Sequence, residues 1–335
     1  MDATATVVSR GSGSCVTRWR CLYSNPRAAV RGDGRRTRRS GDALARTGYA
    51  GRVRPTFWIA SYPKSGNTWF RLLLANLARD TPLAINDLRH DSGTASARPV
   101  FDEAIGFPSA LLTHAECDRL RPRVYRALAA QASAPRFVKT HDAWTRTDTG
   151  EPLMGGPDAA AGVILIARDP RDVVASLAHH MDRDIDWTIA FMADPTSAFC
   201  GRVDRQHHQL RQQLLGWSGF NDGWMRQDVL PIHIVRYETL QADAVATFAA
   251  ALRFARVEAS AEAIAHAVDF ASFDRVQAQE RASGFGEAPP QLHHGGFFRR
   301  GVAGNWRHEL SAAQASRIVA AHGATMARLG YGPGG

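Results

Sequence analysis

The sequence predicts an α/β fold: a central parallel sheet flanked by helices in three layers. Short apolar runs of strand-forming residues alternate with longer segments of helical periodicity, which is the pattern of strand–helix–strand units. The hydrophobic share of 44% is ordinary for a globular protein. The 335 residues allow one large domain or two small ones.

The strand candidates are short, apolar segments at 56–61, 136–140, 163–167 and 232–236. Helical periodicity predicts helices at 68–78, 171–181, 204–227, 243–252, 260–268 and 311–329. The last helix opens with Ser311 and Gln314, which fit a capping box, and ends at Gly330, which fits a C-cap. Residues 84–135 and 270–296 carry Pro and Gly, and we expect irregular insertions or lids there.

Charge divides the chain near residue 55. The net charge is +9 with histidine neutral, and the twelve arginines and three aspartates of residues 1–54 account for all of it. This Arg-rich segment lacks an apolar face, so we expect a disordered leader before a domain at 55–335. Several explanations of this leader remain open: a plain tail, an over-extended translation start, an organelle transit peptide or a nucleic-acid arm.

The composition argues against several classes of protein. Residues 55–335 carry equal numbers of basic and acidic side chains, so they show no bulk sign of nucleic-acid binding. No run approaches the ~20 apolar residues of a transmembrane helix. The four cysteines include no CxxC pair, and the three adjacent histidine pairs lack metal-ligand spacing. We therefore expect a protein without a nucleic-acid partner, a membrane span or a bound metal. We also expect it to reside in a reducing compartment.

The loop after the first strand has the composition of an anion site. It reads Tyr62-Pro63-Lys64-Ser65-Gly66-Asn67-Thr68-Trp69. A helix N-terminus offers free backbone N–H groups, Gly66 lets the backbone approach a phosphate, and Lys64 adds charge. Ser65, Asn67 and Thr68 add side-chain donors. The lysine precedes the glycine, unlike in a Walker A loop, which disfavours an ordinary kinase. Taken alone, the loop has a less favoured alternative interpretation as a plain turn with an incidental lysine.

Three later segments of the chain also contain side chains suited to catalysis or to anion binding. Phe137-Val138-Lys139-Thr140-His141 ends a predicted strand, Ala167 to Ser176 crosses from a strand into a helix, and Phe297 to Trp306 contains Arg299-Arg300-Gly301. An arginine such as Arg168 binds a phosphate bidentately. In isolation, a histidine at a strand end is more often structural, whereas a surface ion pair and a solvated basic turn are the less favoured interpretations of the other two segments.

Together the four segments resemble those of the cytosolic-type sulfotransferases, which use 3′-phosphoadenosine 5′-phosphosulfate (PAPS) as donor. The resemblance covers about residues 56–330. It implies a P-loop-like domain that transfers a sulfuryl group from PAPS to a hydroxyl or amine of a small molecule, by in-line displacement and without a metal. It also implies a cytoplasmic enzyme. The alternatives are a P-loop-type phosphotransferase and a non-catalytic nucleotide-binding module.

The reaction assigns roles to four side chains. His141 is the expected general base, because imidazole with a pKa near ~6.5 takes a proton at neutral pH. Lys64 is expected to stabilise the charge that grows on the leaving phosphate. The resemblance implies that Lys139 contacts the sulfuryl oxygens and that Ser176 restrains Lys64 until the acceptor binds. Lys64 and Lys139 are the only two lysines of the chain.

The resemblance also implies the donor contacts. The phosphosulfate loop contributes Lys64, Ser65, Gly66, Asn67, Thr68. The resemblance implies that the 3′-phosphate is bound by Arg168, Ser176, Arg299, Arg300 and Gly301. It also implies that the adenine contacts Trp69 and Tyr237. The chain departs from the family pattern at Arg300, where lysine is usual, at Asn305, where aspartate is usual, and in the dimerisation segment. The oligomeric state and the acceptor stay open.

Overall fold

The computed structural model describes residues 56–88, 93–289 and 296–332; the predicted leader at 1–54 lies outside them. The central sheet contains β1 (Thr56–Ser61), β2 (Arg136–Thr140), β3 (Gly162–Ala167) and β4 (Ile232–Arg236). The strand order is β2–β1–β3–β4, and each neighbouring pair is parallel. The predicted α/β class and strand positions are confirmed.

Helices cover both faces of this sheet. Successive side chains of a strand point to opposite faces, and the inner strands accordingly supply two separate apolar clusters. Trp58 and Leu165 belong to one cluster, whereas Ile59 and Ile164 belong to the other. Every residue of β1 and β3 is buried, as expected for strands with helices on both sides. The fold is the three-layer arrangement that the sequence predicts.

The α-helices lie between β1 and β2, between β3 and β4 and after β4, whereas only a 3-10 turn, Gly156–Asp158, separates β2 from β3. The α-helices are α1 (Asn67–Asn76), α2 (Arg98–Ile105), α3 (His114–Ala130), α4 (Pro170–Met181), α5 (Ile185–Ala193), α6 (Gly216–Arg226), α7 (Tyr237–Ala242), α8 (Ala244–Phe254), α9 (Ala261–Phe270), α10 (Phe273–Ser283), α11 (Trp306–Glu309) and α12 (Ala312–Arg328). Helix α12 begins with the predicted capping box, in which Ser311 and Gln314 bond each other's backbone N–H. In the described part of the chain, no helix combines the length and the apolarity that crossing a membrane requires.

The predicted helix at 204–227 is wrong over its first half. Leu210 donates its N–H to the Ser96 carbonyl at 2.8 Å, so this backbone is used by another part of the chain. Leu215 and Gly216 then have φ angles of 58° and 67°. Left-handed residues interrupt a right-handed helix, so α6 cannot extend back through Leu215 and Gly216, and its first residue is Gly216.

The two regions expected to be irregular contain helices. Residues 84–135 include α2 and α3, and residues 270–296 include α10. Pro122 lies inside α3, where proline removes a backbone hydrogen bond and therefore disguised the helix in the sequence. A capping box between Thr113 and Glu116 marks where α3 begins.

The parallel register brings the functional segments to one edge of the sheet. Ile59 pairs with Lys139 and Ala60 pairs with Thr140, so the loop after β1 and the residue after β2 emerge side by side. Ser61 pairs with Ile166 of β3, one residue before that strand ends. Ligand sites in parallel sheets form at the carboxyl ends of strands.

Candidate active site

The loop between β1 and α1 has a strained backbone. Lys64 has a φ of 66° and Gly66 a φ of 103°. A Cβ at Gly66 would lie 2.7 Å from Cδ2 of Tyr237. Glycine is therefore required at position 66, both for the angle and for the close packing of the loop on α7. A left-handed lysine is uncommon, and such strain is often stored at functional sites.

The side chains of the loop divide into structural and available groups. The Asn67 amide donates to the Ile59 carbonyl and the Ser61 hydroxyl, both at 3.1 Å, so its N–H groups anchor the loop to β1. Thr68 is buried. Within the described ranges, the buried hydroxyl of Ser65 makes no hydrogen bond. The loop therefore offers Ser65 and backbone N–H groups to an anion, rather than the Asn67 amide.

His141 is held as a neutral base. Its Nδ1 lies 2.7 Å from the Ser61 carbonyl oxygen. A carbonyl only accepts, so Nδ1 carries the proton and Nε2 keeps its lone pair. Burial, reinforced by the charge of Lys139, holds the pKa of His141 well below 6.5. The imidazole therefore stays unprotonated at neutral pH and ready to accept a proton.

Lys139 is paired with a carboxylate. Its Nζ lies 3.7 Å from Oε2 of Glu287, and Glu287 accepts two hydrogen bonds from Arg71 at 2.8 and 2.9 Å. Burial lowers the pKa of Lys139 to about 8, against the opposing charge of Glu287.

Lys64 has a different environment. Its Nζ lies 3.6 Å from the centre of the Phe297 ring, which attracts a cation weakly. Burial, and then the charges of Arg168 and Lys139, lower the pKa of Lys64 to about 7. The two lysines lie near enough to each other for their charges to interact, as the sequence predicts.

Arg168 joins three parts of the predicted donor site. Its guanidinium lies over the Tyr237 ring at 4.2 Å and donates to the carbonyls of Lys64 and Val302, both at 3.3 Å. Its Nε is buried and has no partner among the residues the structure covers. Arg168 thus links the loop after β1, the start of α7 and the C-terminal basic segment. Trp69 packs edge-on against Tyr237 at 5.7 Å, which brings the two predicted adenine residues together.

The C-terminal basic segment is folded onto α4. Asp172 accepts from the backbone N–H groups of Gly304 and Trp306 at 2.6 and 2.9 Å. Arg299 and Arg300 both pair with Glu309. Gly301 has a φ of 66°, and a Cβ there would enter the Phe273 ring. The two arginines are therefore ion-paired in this structure.

Ser176 and His180 lie one turn apart on α4. Ser176 is half-buried, and its hydroxyl forms no hydrogen bond within the described part of the chain, so no contact with Lys64 is seen. The His180 ring lies 6.0 Å from Phe297, and its Nδ1 is buried without a described partner. Burial, and then the charges of Lys64 and Lys139, lower the pKa of His180 to about 3. The described residues contain no group of His, Cys, Asp and Glu placed to hold a metal ion.

Several functional candidates escaped the sequence reasoning. The Ser61 carbonyl could have been found, because the residues after Ala60 and Thr140 must adjoin in a parallel pair. Asp172 lies inside a recognised segment. No sequence signal marked Arg71 or Glu287, because Arg71 lies on a largely apolar helix and Glu287 lies inside the region 270–296 that was expected to be irregular.

The chain is similar in sequence to known proteins. Residues 54–330 match the sulfotransferase domain. Human sulfotransferase 2B1 is 23% identical over 270 residues, which are 79% of this chain and 64% of that protein. Cytosolic sulfotransferase 16 of Arabidopsis thaliana is 23% identical over 278 residues, 79% of this chain and 75% of that protein. The chain thus spans less than two thirds of the human relative.

Solved structures share the fold. Retinol dehydratase, in complex with androsterone and the inactive cofactor PAP, superposes with a TM-score of 0.52 at 19% identity, covering 82% of each chain. Mouse sulfotransferase SULT7A1, complexed with PAP, gives 0.50 at 15% identity, covering 87% of this chain and 90% of that one. Because the domain match extends over most of the chain, the protein belongs to the sulfotransferase family.

Proposed function

We propose that this chain transfers the sulfuryl group of PAPS to a hydroxyl or amine of a small molecule and releases adenosine 3′,5′-bisphosphate (PAP). One observation carries the proposal: a neutral imidazole, His141, lies near Lys139 at the carboxyl edge of a parallel sheet, and the charge of Lys139 in turn acts on Lys64. Sulfuryl transfer needs a base for the acceptor and cations for the phosphosulfate, and this edge supplies both.

The residues fit a donor with two anionic ends. The Ser65 hydroxyl and the Arg168 Nε are buried polar groups without described partners, and such groups are costly unless a ligand or water satisfies them. Gly66 has no side chain that would keep a phosphate away from the loop backbone, and its nearest neighbour there is the Tyr237 ring. The loop with Lys64 suits the phosphosulfate. Arg168 and the segment around Gly301 suit the 3′-phosphate, once Arg299 and Arg300 exchange Glu309 for it.

The chemistry then follows from the positions of the side chains. His141 takes the acceptor proton on Nε2 while the acceptor oxygen forms its bond to sulfur, and the bond from sulfur to the phosphate oxygen breaks. Lys64 stabilises the negative charge left on that oxygen, and Lys139 that on the sulfuryl oxygens. Both interactions strengthen as charge develops, which lowers the barrier.

The acceptor is a small molecule in this proposal. Support comes from the retinol dehydratase structures, whose complexes contain androsterone in one case and retinol in another. A phosphotransferase is not favoured, because the lysine of the loop precedes its glycine. We also infer a cytoplasmic location, which the cytosolic relative from Arabidopsis supports.

The test is an acceptor screen with sulfur-labelled PAPS across phenols, steroids, amino sugars and lipid alcohols. Calorimetry with PAP and with ATP runs in parallel. The expected result is labelled acceptor together with PAP binding, and loss of labelling in His141→Ala. Tight ATP binding without PAP binding would overturn the proposal in favour of a kinase. PAP binding with no acceptor sulfated would favour a non-catalytic nucleotide-binding module.

A further inference from the structure

Three charged side chains from distant parts of the chain meet beside the catalytic edge. Arg71 belongs to α1, Lys139 is the penultimate residue of β2, and Glu287 follows α10. Arg71 donates from Nη1 to Oε2 of Glu287 at 2.9 Å and from Nη2 to Oε1 at 2.8 Å. Lys139 Nζ lies 3.7 Å from the same Oε2. One carboxylate therefore bridges two cations.

The geometry makes Glu287 a fixed anion. Arg71 is 3% exposed, and its planar fork grips both carboxylate oxygens, which sets their orientation. Burial alone would raise the pKa of Glu287, but the hydrogen bonds from Arg71 and the charge of Lys139 lower it to about 2. The carboxylate is thus ionised wherever the enzyme is folded at ordinary pH.

The two lysines of the site differ in this respect. Lys64 forms no ion pair within the described residues, and its ammonium lies over Phe297. Lys139 has Glu287. The other titratable groups that act electrostatically with Lys139 are Arg71, Lys64, His141 and His180, none of them anionic. Glu287 is therefore the counter-charge on which Lys139 depends.

We propose that Arg71 and Glu287 are positioning residues that orient the Lys139 ammonium and keep it protonated for sulfuryl transfer. Arg71 acts on Glu287, and Glu287 acts on Lys139. The kinetic consequence rests on the proposed function, whereas the pairing itself does not. The opposing view is that Glu287 is an internal anion that competes with the donor for the same cations.

The composition offers a direct measurement. Because Lys64 and Lys139 are the only lysines, the full chain labelled at lysine Cε gives two NMR signals, which Lys64→Arg assigns. In the wild type, Lys139 is expected to titrate at higher pH than Lys64. Glu287→Gln is expected to lower the Lys139 midpoint by roughly one pH unit or more. Glu287→Asp keeps the charge and is expected to recover part of that shift.

Asp148 provides a matched control. It pairs with Arg119 at an exposed site, and Asp148→Asn also removes one carboxylate charge from an arginine pair. Both lysine signals are expected to titrate as in the wild type. A shift as large as that of Glu287→Gln would mean that the Glu287 effect is general and would overturn the assignment.

Kinetics supply the second readout. In Glu287→Gln, the pH above which kcat declines is expected to fall together with the titration midpoint of Lys139. PAPS affinity at pH 6.5 is expected to stay within about threefold of wild type. A merely structural role would lower kcat at every pH and leave the pH of that decline in place. An unchanged Lys139 midpoint overturns the proposal, and so does a tenfold gain in PAPS affinity at unchanged kcat.

The proposal stays testable if Glu287→Gln does not fold, because a wild-type Lys139 that titrates below Lys64 overturns it without any variant. The two proposals also fail separately. If no acceptor is sulfated while the Lys139 midpoint follows Glu287, the activity is wrong and the pairing stands. If sulfuryl transfer is found but the Lys139 midpoint does not change in Glu287→Gln, the activity stands and the proposed role of Glu287 is wrong.

Discussion

The Nδ1 atom of His141 lies 2.7 Å from the carbonyl oxygen of Ser61. This contact follows from the sheet, since β1 and β2 are parallel and Ala60 pairs with Thr140. The carbonyl only accepts, so this contact fixes the tautomer of the imidazole; the Ser61 hydroxyl lies farther from Nδ1, at 3.4 Å. The backbone of the strand that begins the donor loop therefore also sets up the base.

His141→Ala is expected to lower kcat by about 10²–10⁴, the usual contribution of a general base. PAP affinity is expected to stay near wild type, because His141 is not assigned to the donor. Steady-state kinetics and calorimetry check the two quantities. His266 is an exposed histidine of α9, so His266→Ala is the control and should retain wild-type kcat. Wild-type kcat in His141→Ala would remove His141 from the role of base.

Three of the four predicted segments lie where a parallel strand ends, whereas the C-terminal basic segment follows a helix. The phosphate loop, Lys139 and His141 need only the strand positions and the parallel direction to be brought together. The prediction failed where long-range contacts decide the local structure. The backbone around Leu210 bonds Ser96 instead of forming a helix, and no local pattern shows that Glu287 reaches Lys139.

Lys64→Arg is expected to keep the positive charge and lose much of the rate. Lys64 sits at a positive φ against the Phe297 ring, and a broad guanidinium cannot occupy the place of a compact ammonium. We expect kcat to fall by about 10²-fold, comparable to losing one transition-state donor. Single-turnover rates measure this. Arg119→Lys, at an exposed pair, is the control exchange, and an unaltered rate in Lys64→Arg would contradict the assigned role.

Donor-product affinity is expected to depend on pH. The pKa of Lys64 is lowered to about 7, so the free protein loses this cation above neutral pH, whereas bound phosphate raises the pKa again. PAP affinity should therefore fall as pH rises from 7 to 9, by up to about tenfold per pH unit, with proton uptake on binding.

Calorimetry in buffers of different ionisation enthalpy measures that uptake. Below pH 7 the phosphates of PAP themselves titrate, so the range from 7 to 9 is the informative one. Lys64→Met removes the titrating group and should flatten the profile. A flat profile in the wild type would show that Lys64 is already fully protonated in the free protein.

Asp172→Asn tests whether the docking of the C-terminal segment on α4 supports donor binding. Asp172 accepts from Gly304 and Trp306 through both carboxylate oxygens, and an asparagine has only one acceptor oxygen for these two donors. A buried N–H left without its partner costs about 1–3 kcal/mol. Arg299, Arg300 and Gly301 lie on the same segment, so PAP affinity is expected to fall about tenfold or more.

Asp243 makes a similar bond as the N-cap of α8, and Asp243→Asn should leave PAP affinity unchanged while altering the melting temperature slightly. If Asp172→Asn lowers only the melting temperature and binds PAP as the wild type does, the docked segment is structural and the 3′-phosphate contacts must be sought elsewhere.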